Sequence, residues 1–434
     1  MLDTSLLQQA PTPADALGIR SSTQRPPREA QLRIFMMDLL SIVPYYDAHL
    51  CEALQTQNVS VMLGAITYHL DRSCFRRHNI STRPGLLDIV GRFKLPKRVR
   101  RVLKLLETAI NMTAIAARFL WCSPNVVHVQ YLPMLQWGIP IDFWFLRYCR
   151  KLGSSLVCTV HDILPSDTGE KHAERFQRLY SMMDAIICHS DAVKQQLITR
   201  FAISPDRIRV IPHGPFFHDL PAASVSSSQG KLDGDKPEVI VLFQGLIRPY
   251  KGVDFLLDAW REVHQSGSRA KLVIAGNSDD VSLLNAIREQ VHSLALENSV
   301  ELRFKFLPLE EMIACYHAAN IVVYPYKAVT TSGALMTGVA QGKAIIATSL
   351  SPFLEILEHE KNALLCSYGD SSQLAAALLR LINDSALRGR LGREASKLNL
   401  GRKAWQQIAG ETYDCYLSVT RRPAISMLED HSTV

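Results

Sequence analysis

Short runs of β-branched and aliphatic residues alternate with helix-period segments along almost the whole chain, and that alternation leaves few folds open. In the first half the runs are Gln31–Met37, Val59–Leu63, Val126–Val129, Ser155–Val160, Asp184–Cys188 and Ile208–Ile211. Between them, Tyr46–Gln55, residues 97–120, Ile141–Leu152, Ala173–Met182 and Ala192–Phe201 repeat apolar residues every three or four positions. Strand, helix and strand in series build a parallel sheet, and right-handed crossovers place helices on both of its faces. The second half repeats the scheme. Its strands are Val239–Phe243, Lys271–Ala275, Val300–Lys305, Ile321–Tyr324, Ala344–Ala347 and Ala363–Cys366, with helices such as Val253–His264 and Leu309–Ala319. The expected fold class is α/β, with two Rossmann-like doubly wound domains facing a cleft.

The length of 434 residues agrees, because single cores stop growing at about 250–300 residues. Residues 1–30 hold Pro11, Pro13, Pro26 and Pro27 with mixed charges, and read as a disordered lead-in rather than a signal peptide. Residues 31–213 then form an N-terminal, acceptor-side domain. Residues 214–237, rich in Gly, Pro and Ser, read as a linker. Residues 238–402 form the C-terminal domain, 403–420 a helix expected to pack back toward the first domain, and 421–434 a tail. No run reaches the ~18 apolar residues that a spanning helix needs. The nine cysteines are scattered and form no C-x-x-C pair. They read as reduced core thiols of a cytosolic protein rather than a disulfide framework or zinc site.

The net charge of +7 is unevenly placed. Arg92, Lys94, Lys97, Arg98, Arg100, Arg101 and Lys104 fall in one stretch without an acid. That stretch runs into Leu105, Leu106, Ile110, Met112, Ile115, Phe119 and Leu120. Their spacing describes an amphipathic basic helix. Two readings stand: contact with an anionic bilayer surface, or a solvated face that is basic. Nucleic acid is disfavoured, because no aromatic-interleaved basic surface is present.

Two turns carry the chemistry. After Val239–Phe243, Gly245 turns the chain, and Arg248 and Lys251 sit at the mouth of a helix beginning near Gly252. Arginine grips two phosphate oxygens with its fork, lysine adds a point charge, and a helix N-terminus contributes further positive potential. After Ile321–Tyr324 comes Pro325-Tyr326, then Thr330-Thr331-Ser332-Gly333 opening a helix through Ala334 and Leu335. Ser332 could be a plain N-cap, while Gly333 would let a ligand approach the backbone N–H groups closely. In a parallel sheet both turns emerge at the carboxyl edge. Together they describe a cradle for a diphosphate.

These residues resemble the donor-binding half of glycosyltransferase family 4, retaining enzymes of the GT-B fold that use nucleotide sugars. The resemblance includes Gly245…Arg248…Lys251-Gly252, Tyr324-Pro325-Tyr326, Ser332-Gly333 and Gly342-Lys343 in the second half. In the first half it includes Thr159-Val160-His161-Asp162, His189-Ser190 and His213-Gly214. It implies that Arg248 and Lys251 hold the donor diphosphate and stabilise its leaving charge, aided by Gly245 and by N–H groups near Ser332, Gly333 and Ala334. Thr330, Thr331 and Leu335 would complete the donor loop. No metal or other cofactor is then required. His161 matches a histidine that faces the donor sugar, although it could equally cap the next turn with Asp162. The family's E-x7-E positions fall on Val329 and Thr337, so the chain is a divergent branch without those carboxylates. Glu355 is the nearest downstream carboxylate and receives no role.

On the acceptor side, Pro44, Tyr45 and Tyr46 follow the first strand, as an acceptor loop or as a packed Pro-aromatic turn. The basic helix suits an acceptor held in the membrane by a polyprenyl diphosphate. The resulting expectation is transfer from a nucleotide sugar to a lipid-linked or saccharide acceptor in cell-surface polysaccharide synthesis. The enzyme would be cytoplasmic and peripheral on the inner membrane face. A nucleotide-sugar epimerase would need cleft carboxylates that the loops lack. A phosphorylase would show a pyridoxal-phosphate lysine setting, which is absent. A non-catalytic GT-B scaffold or partner subunit remains the other alternative.

Overall fold

The computed structural model describes residues 31–93, 96–132, 134–135, 138–164, 169–216, 238–398 and 402–420, with only the backbone of Lys97 and Arg402. The expected lead-in 1–30, most of the linker and the tail 421–434 lie outside these residues.

The strands are β1 (Leu32–Met37), β2 (Val59–Gly64), β3 (Val126–Val129), β4 (Ser155–Val160), β5 (Ala185–Cys188) and β6 (Ile208–Val210) in the first half. The second half has β7 (Val239–Gln244), β8 (Ala270–Ala275), β9 (Val300–Arg303), β10 (Ile321–Tyr324), β11 (Ala344–Thr348) and β12 (Leu364–Cys366). They form two six-stranded sheets, ordered β2-β1-β3-β4-β5-β6 and β12-β11-β10-β7-β8-β9. Every recorded strand pairing is parallel. The protein has the GT-B architecture of two Rossmann-like units facing a cleft.

Side chains alternate across each sheet, so one strand feeds two apolar layers. In β1, Phe35 and Met37 enter the layer that holds Met112, Phe119 and Leu146. Ile34 and Met36 enter the opposite layer with Tyr46, Leu50 and Leu54. The helix Arg402–Thr420 closes that second layer with Trp405, Ile408, Tyr416 and Val419. Two hydrogen bonds fix its position: Trp405 Nε1 donates to the Pro215 carbonyl at 2.7 Å, and Tyr416 Oη lies 2.7 Å from His128 Nδ1. Gly214 has to lack a side chain, because a Cβ there would stand 2.3 Å from the Trp405 ring. All nine cysteines are free thiols, and all but Cys122 are buried.

The helix Lys97–Phe119 departs from the sequence reading. The expected single apolar stripe is divided between two faces. Met112, Ile115 and Phe119 are buried, whereas Leu106, Ile110 and Leu120 are exposed, together with Val99, Val102 and Leu103. The buried positions in its first half are polar. Glu107 Oε1 accepts from the Ile89 and Val90 amides, and Asn111 Oδ1 accepts from those of Leu86 and Leu87. This part of the helix binds a loop with its polar face and turns its apolar face outward.

Candidate active site

Strand order reverses once in each sheet, between β1 and β3 and between β7 and β10. Loops leaving the carboxyl ends of such strands diverge, and ligands settle in the crevice. A cavity of about 1020 Å³ lies there, lined by Leu40–Tyr46 and His161 from the first half and by Gly245, Arg248 and Thr331 from the second. An adjoining cavity of about 500 Å³ shares His161, Asp162 and Arg248, and adds Gln130 and Lys251.

The turn after β7 is shaped by close backbone approaches. Gly245 (φ 141°) and Gly276 (φ 156°) meet so tightly that a Cβ on Gly276 would lie 1.8 Å from the Gly245 carbonyl oxygen. Gly252 (φ 65°) starts the helix Val253–Gln265, and a Cβ there would lie 2.0 Å from the Pro325 carbonyl oxygen. The turn is thus clamped against both neighbouring strand ends, which fixes the short Pro249–Lys251 helical turn. Lys251 Nζ stands 5.2 Å over the Tyr326 ring centroid and 3.0 Å from where a Gly245 Cβ would be. Burial lowers its pKa, the Tyr250 phenol and Asp162 carboxylate act against that, and Arg248 adds to the depression. A desolvated cation beside a second cation is a site that gains from receiving an anion.

The second loop meets the cleft differently. Ser332 Oγ accepts from the Leu335 N–H at 3.1 Å, so Ser332 is an N-cap of the helix Gly333–Ala340. The Leu335 side chain is buried in the core, and its N–H is occupied by that cap. Thr331 lines the larger cavity. At Gly333 a Cβ would lie 2.5 Å from the Phe216 ring and 3.3 Å from His213. The bare backbone of Gly333 therefore accommodates side chains from the first half. The Tyr324 hydroxyl donates to the Ala334 carbonyl at 2.7 Å, tying this helix start to β10.

His161 sits at the carboxyl end of β4 between the two cavities. Its Nε2 lies 2.8 Å from the Gln130 carboxamide, and its Nδ1 lies 3.4 Å from His189 Nε2. His189 Nδ1 is 2.9 Å from the Ile211 carbonyl, which can only accept, so His189 carries its proton there. Burial holds the His161 pKa well below the usual value, and His189, His213 and His128 reinforce that. Both ring nitrogens of His161 thus lie within reach of protein partners. Tyr46 packs edge-on to His161 at 4.7 Å and is buried among His189, His213 and Trp405. Pro44 begins the helix Pro44–Leu54, and Tyr45 Oη reaches Asp71 at 3.3 Å. All three also line the cleft, so the packed turn forms part of its wall.

Comparison with known proteins agrees with this arrangement. A family model described as Glycosyltransferase Family 4 matches residues 46–214, and one described as Glycosyl transferases group 1 matches residues 238–384. The chain is a glycosyltransferase of the GT-B architecture, related to family 4. An uncharacterized glycosyltransferase of Methanocaldococcus jannaschii is 23% identical over 281 residues, 62% of this chain and 69% of that protein. A D-inositol 3-phosphate glycosyltransferase of Corynebacterium efficiens is 25% identical over 314 residues, 68% of this chain and 72% of that protein. Among solved structures, Anabaena HepE in complex with UDP-glucose superposes with a TM-score of 0.66 at 16% identity. That match covers 88% of this chain and 99% of that one.

Several features of this glycosyltransferase were beyond sequence reasoning. The Glu355 carboxylate accepts from the Asp191 and Ala192 amides at 3.0 and 2.9 Å, so it caps the helix Asp191–Phe201 of the first half. It joins the two halves and is already occupied. Gln130, Phe216, Asn277 and Lys305 line the cleft without a local motif that marks them. Arg100, Arg101 and Lys104 also line it, where the sequence suggested only a surface face. Among the described residues, His49, Glu52 and His78 form the group with metal-ligand spacing, and none of the three lines either cavity.

Proposed function

We propose that the protein transfers a sugar, with retention, from a nucleoside-diphosphate sugar to a lipid-linked or saccharide acceptor at an anionic membrane face. The observation that carries this reading is the position of Arg248 and Lys251 opposite His161 and Asp162 in one interdomain cleft. As the glycosidic bond to the donor breaks, negative charge grows on the diphosphate. Two fixed cations and the start of the helix Gly333–Ala340 offset that charge without reorganising. Such preorganised charge performs the role a divalent metal could otherwise fill, so transfer proceeds without one. The neutral His161 orients the sugar. Phe306, Leu307 and Met312 give the far end of the cleft an apolar wall that suits a nucleotide base. With Val329 and Thr337 at the E-x7-E positions, the ribose is held by other groups.

The outward face of the helix Lys97–Phe119 supports membrane association. Val99, Val102, Leu106 and Ile110 follow helical spacing, and Leu120 and Trp121 extend the stripe. No helix among the described residues is long and apolar enough to cross a membrane. A surface-lying helix with flanking Arg98, Arg100 and Arg101 matches an anionic interface instead. The phosphate-bearing acceptor in the name of the Corynebacterium relative fits the cations facing the cleft. UDP-glucose, bound in the Anabaena structure, is the first donor to test. A thermal-shift screen of uridine, guanosine and adenosine diphosphate sugars, followed by donor hydrolysis, tests the whole reading. One nucleotide class should raise the melting temperature and release sugar. Binding without any sugar release, whatever acceptor is added, would favour a non-catalytic scaffold.

A further inference from the structure

A second cationic cavity, of about 620 Å³, lies in the first half beside the cleft. The segment after β2 and the helix Cys74–Arg77 form two of its walls. A third is residues 80–83, where Thr82 bridges to Leu63 and the Arg83 amide donates to the Leu63 carbonyl at 2.7 Å. The loop around Asp88 and Arg92, which the helix Lys97–Phe119 holds through Glu107 and Asn111, closes it. The cavity therefore opens at the carboxyl edge of the first sheet, the edge that also presents His161.

Its lining is unbalanced in charge. Arg72, Arg76, Arg83 and Arg92 face one acid, Asp88. The Asp88 carboxylate already accepts from the Thr67 hydroxyl at 2.5 Å and lies 3.8 Å from Arg92. Asp71, beside Arg72 in the chain, is bound by Arg77. Among the described residues no ion pair joins a carboxylate to Arg72, Arg76 or Arg83. Ser81 and Thr82 add hydroxyl donors. His69 lines both this cavity and the cleft. Its pKa is lowered by burial and further by Lys104 and Arg100, so one positive field spans the two spaces. Planar guanidinium groups and hydroxyls lining one half-open pocket are the chemistry that holds phosphate. The exposed Leu86, Ile89 and Phe93 border the same loop, placing apolar surface beside the charge.

We propose that this cavity binds the phosphate or diphosphate of the acceptor, separately from the donor cradle at Arg248 and Lys251. The proposal rests on the glycosyl-transfer reading for its purpose, although the anion site itself can be tested alone. The donor cradle is first saturated with UDP, and inorganic pyrophosphate is then titrated in by calorimetry. Wild type should take up one further equivalent, and Arg76→Ala/Arg83→Ala should weaken that uptake by about tenfold or more. Arg76→Lys/Arg83→Lys, which keeps the charge and loses the fork, should fall between them. UDP affinity and the thermal unfolding profile should be unchanged in both, which separates a lost site from a lost fold. A parallel titration with farnesyl diphosphate distinguishes the anion's source. Much tighter binding than pyrophosphate places the phosphate on a lipid, and equal binding places it on a water-soluble acceptor; each supports the site. Absence of pyrophosphate uptake by the UDP-loaded wild type, or equal uptake by wild type and the alanine variant, overturns the proposal. If UDP itself fails to bind, the nucleoside diphosphate found in the donor screen replaces it; if none of them binds, the donor reading fails, and the comparison of arginine variants still decides this one.

Discussion

Replacing Lys251 with methionine isolates the charge that the donor diphosphate is expected to meet. The side chain keeps nearly its length, so the packing against Tyr326 and the tight space beside Gly245 persist. The structure indicates a small folding cost. Among the described residues no ion pair joins Lys251 to a carboxylate, so its removal orphans no partner. Losing the cation's attraction to the Tyr326 ring costs about 0.5–2 kcal/mol, and relief of the desolvation that depresses the Lys251 pKa offsets part of that. The catalytic cost is larger. Two unit charges 4 Å apart at an effective dielectric of about 20 interact by roughly 4 kcal/mol. Removing one preorganised donor from a charge-stabilising site typically lowers kcat by about 10²–10³. Arg248 and the helix start at Gly333 remain, so a loss of about a hundredfold is expected. Because charge builds on the diphosphate during bond cleavage, the loss should fall on kcat more than on KM. Donor hydrolysis under saturating nucleotide sugar, with UDP affinity measured in parallel, gives both quantities. A variant that binds UDP and retains kcat within threefold of wild type would refute the diphosphate role of Lys251.

Two further expectations concern the first half. Replacing Lys97, Arg98, Arg100 and Arg101 with glutamine, or Val102 and Leu106 with aspartate, should release the protein from anionic liposomes; equal sedimentation with wild type would end the membrane reading. The aspartate variant is the cleaner one, because Arg100 and Arg101 also line the cleft. The buried pair Asp38 and Asp47 flanks the cleft-lining residues 40–46, with Asp38 Oδ1 and both Asp47 oxygens lacking hydrogen-bond partners in the structure. Burial raises the Asp38 pKa from 3.8 to about 6 and raises that of Asp47 well above its ordinary value. A carboxyl whose pKa rises on folding binds its proton more tightly in the native state. Stability is therefore greatest below about pH 4 for this pair and declines as pH rises from there through 6. Asp38→Asn should raise the melting temperature at pH 7.5, with the gain shrinking toward pH 4; a gain that does not depend on pH would contradict this.

The strands were legible because short β-branched runs have one way to hide on both faces, and the turn after β7 was legible because Gly245, Arg248, Lys251 and Gly252 are neighbours in sequence. Contacts that join distant segments were not legible. Glu355 meets the amides of Asp191 and Ala192 across the cleft, and nothing around Glu355 signals a cap at that range. Gly333 illustrates the same limit. A glycine at a helix start suggests access for a ligand, and the structure fills the adjacent space with Phe216, a residue more than a hundred positions earlier. Sequence suggested a ligand's approach at this position, and only the fold showed that the Phe216 ring lies against it. Phe216 also contacts Tyr45 and His213, so the start of the helix Gly333–Ala340, the segment after β1 and the end of the first half meet at one aromatic junction.

The helix Lys97–Phe119 shows why period alone misplaces a face. Counting apolar residues every three or four positions is blind to what the other side of the helix touches. Glu107 and Asn111 have the inward positions because the loop 86–90 brings its backbone amides there, and unpaired buried amides would be costly. Once polar side chains satisfy that loop, Val99, Val102, Leu106 and Ile110 can only point outward. On the membrane reading, that exposed apolar face would meet the bilayer. The same loop closes the arginine-lined cavity, so a surface that covers the stripe would also bring acceptor phosphates to that cavity's edge. Membrane affinity and acceptor affinity should therefore be lost together when the loop's anchors, Glu107 and Asn111, are both replaced by alanine.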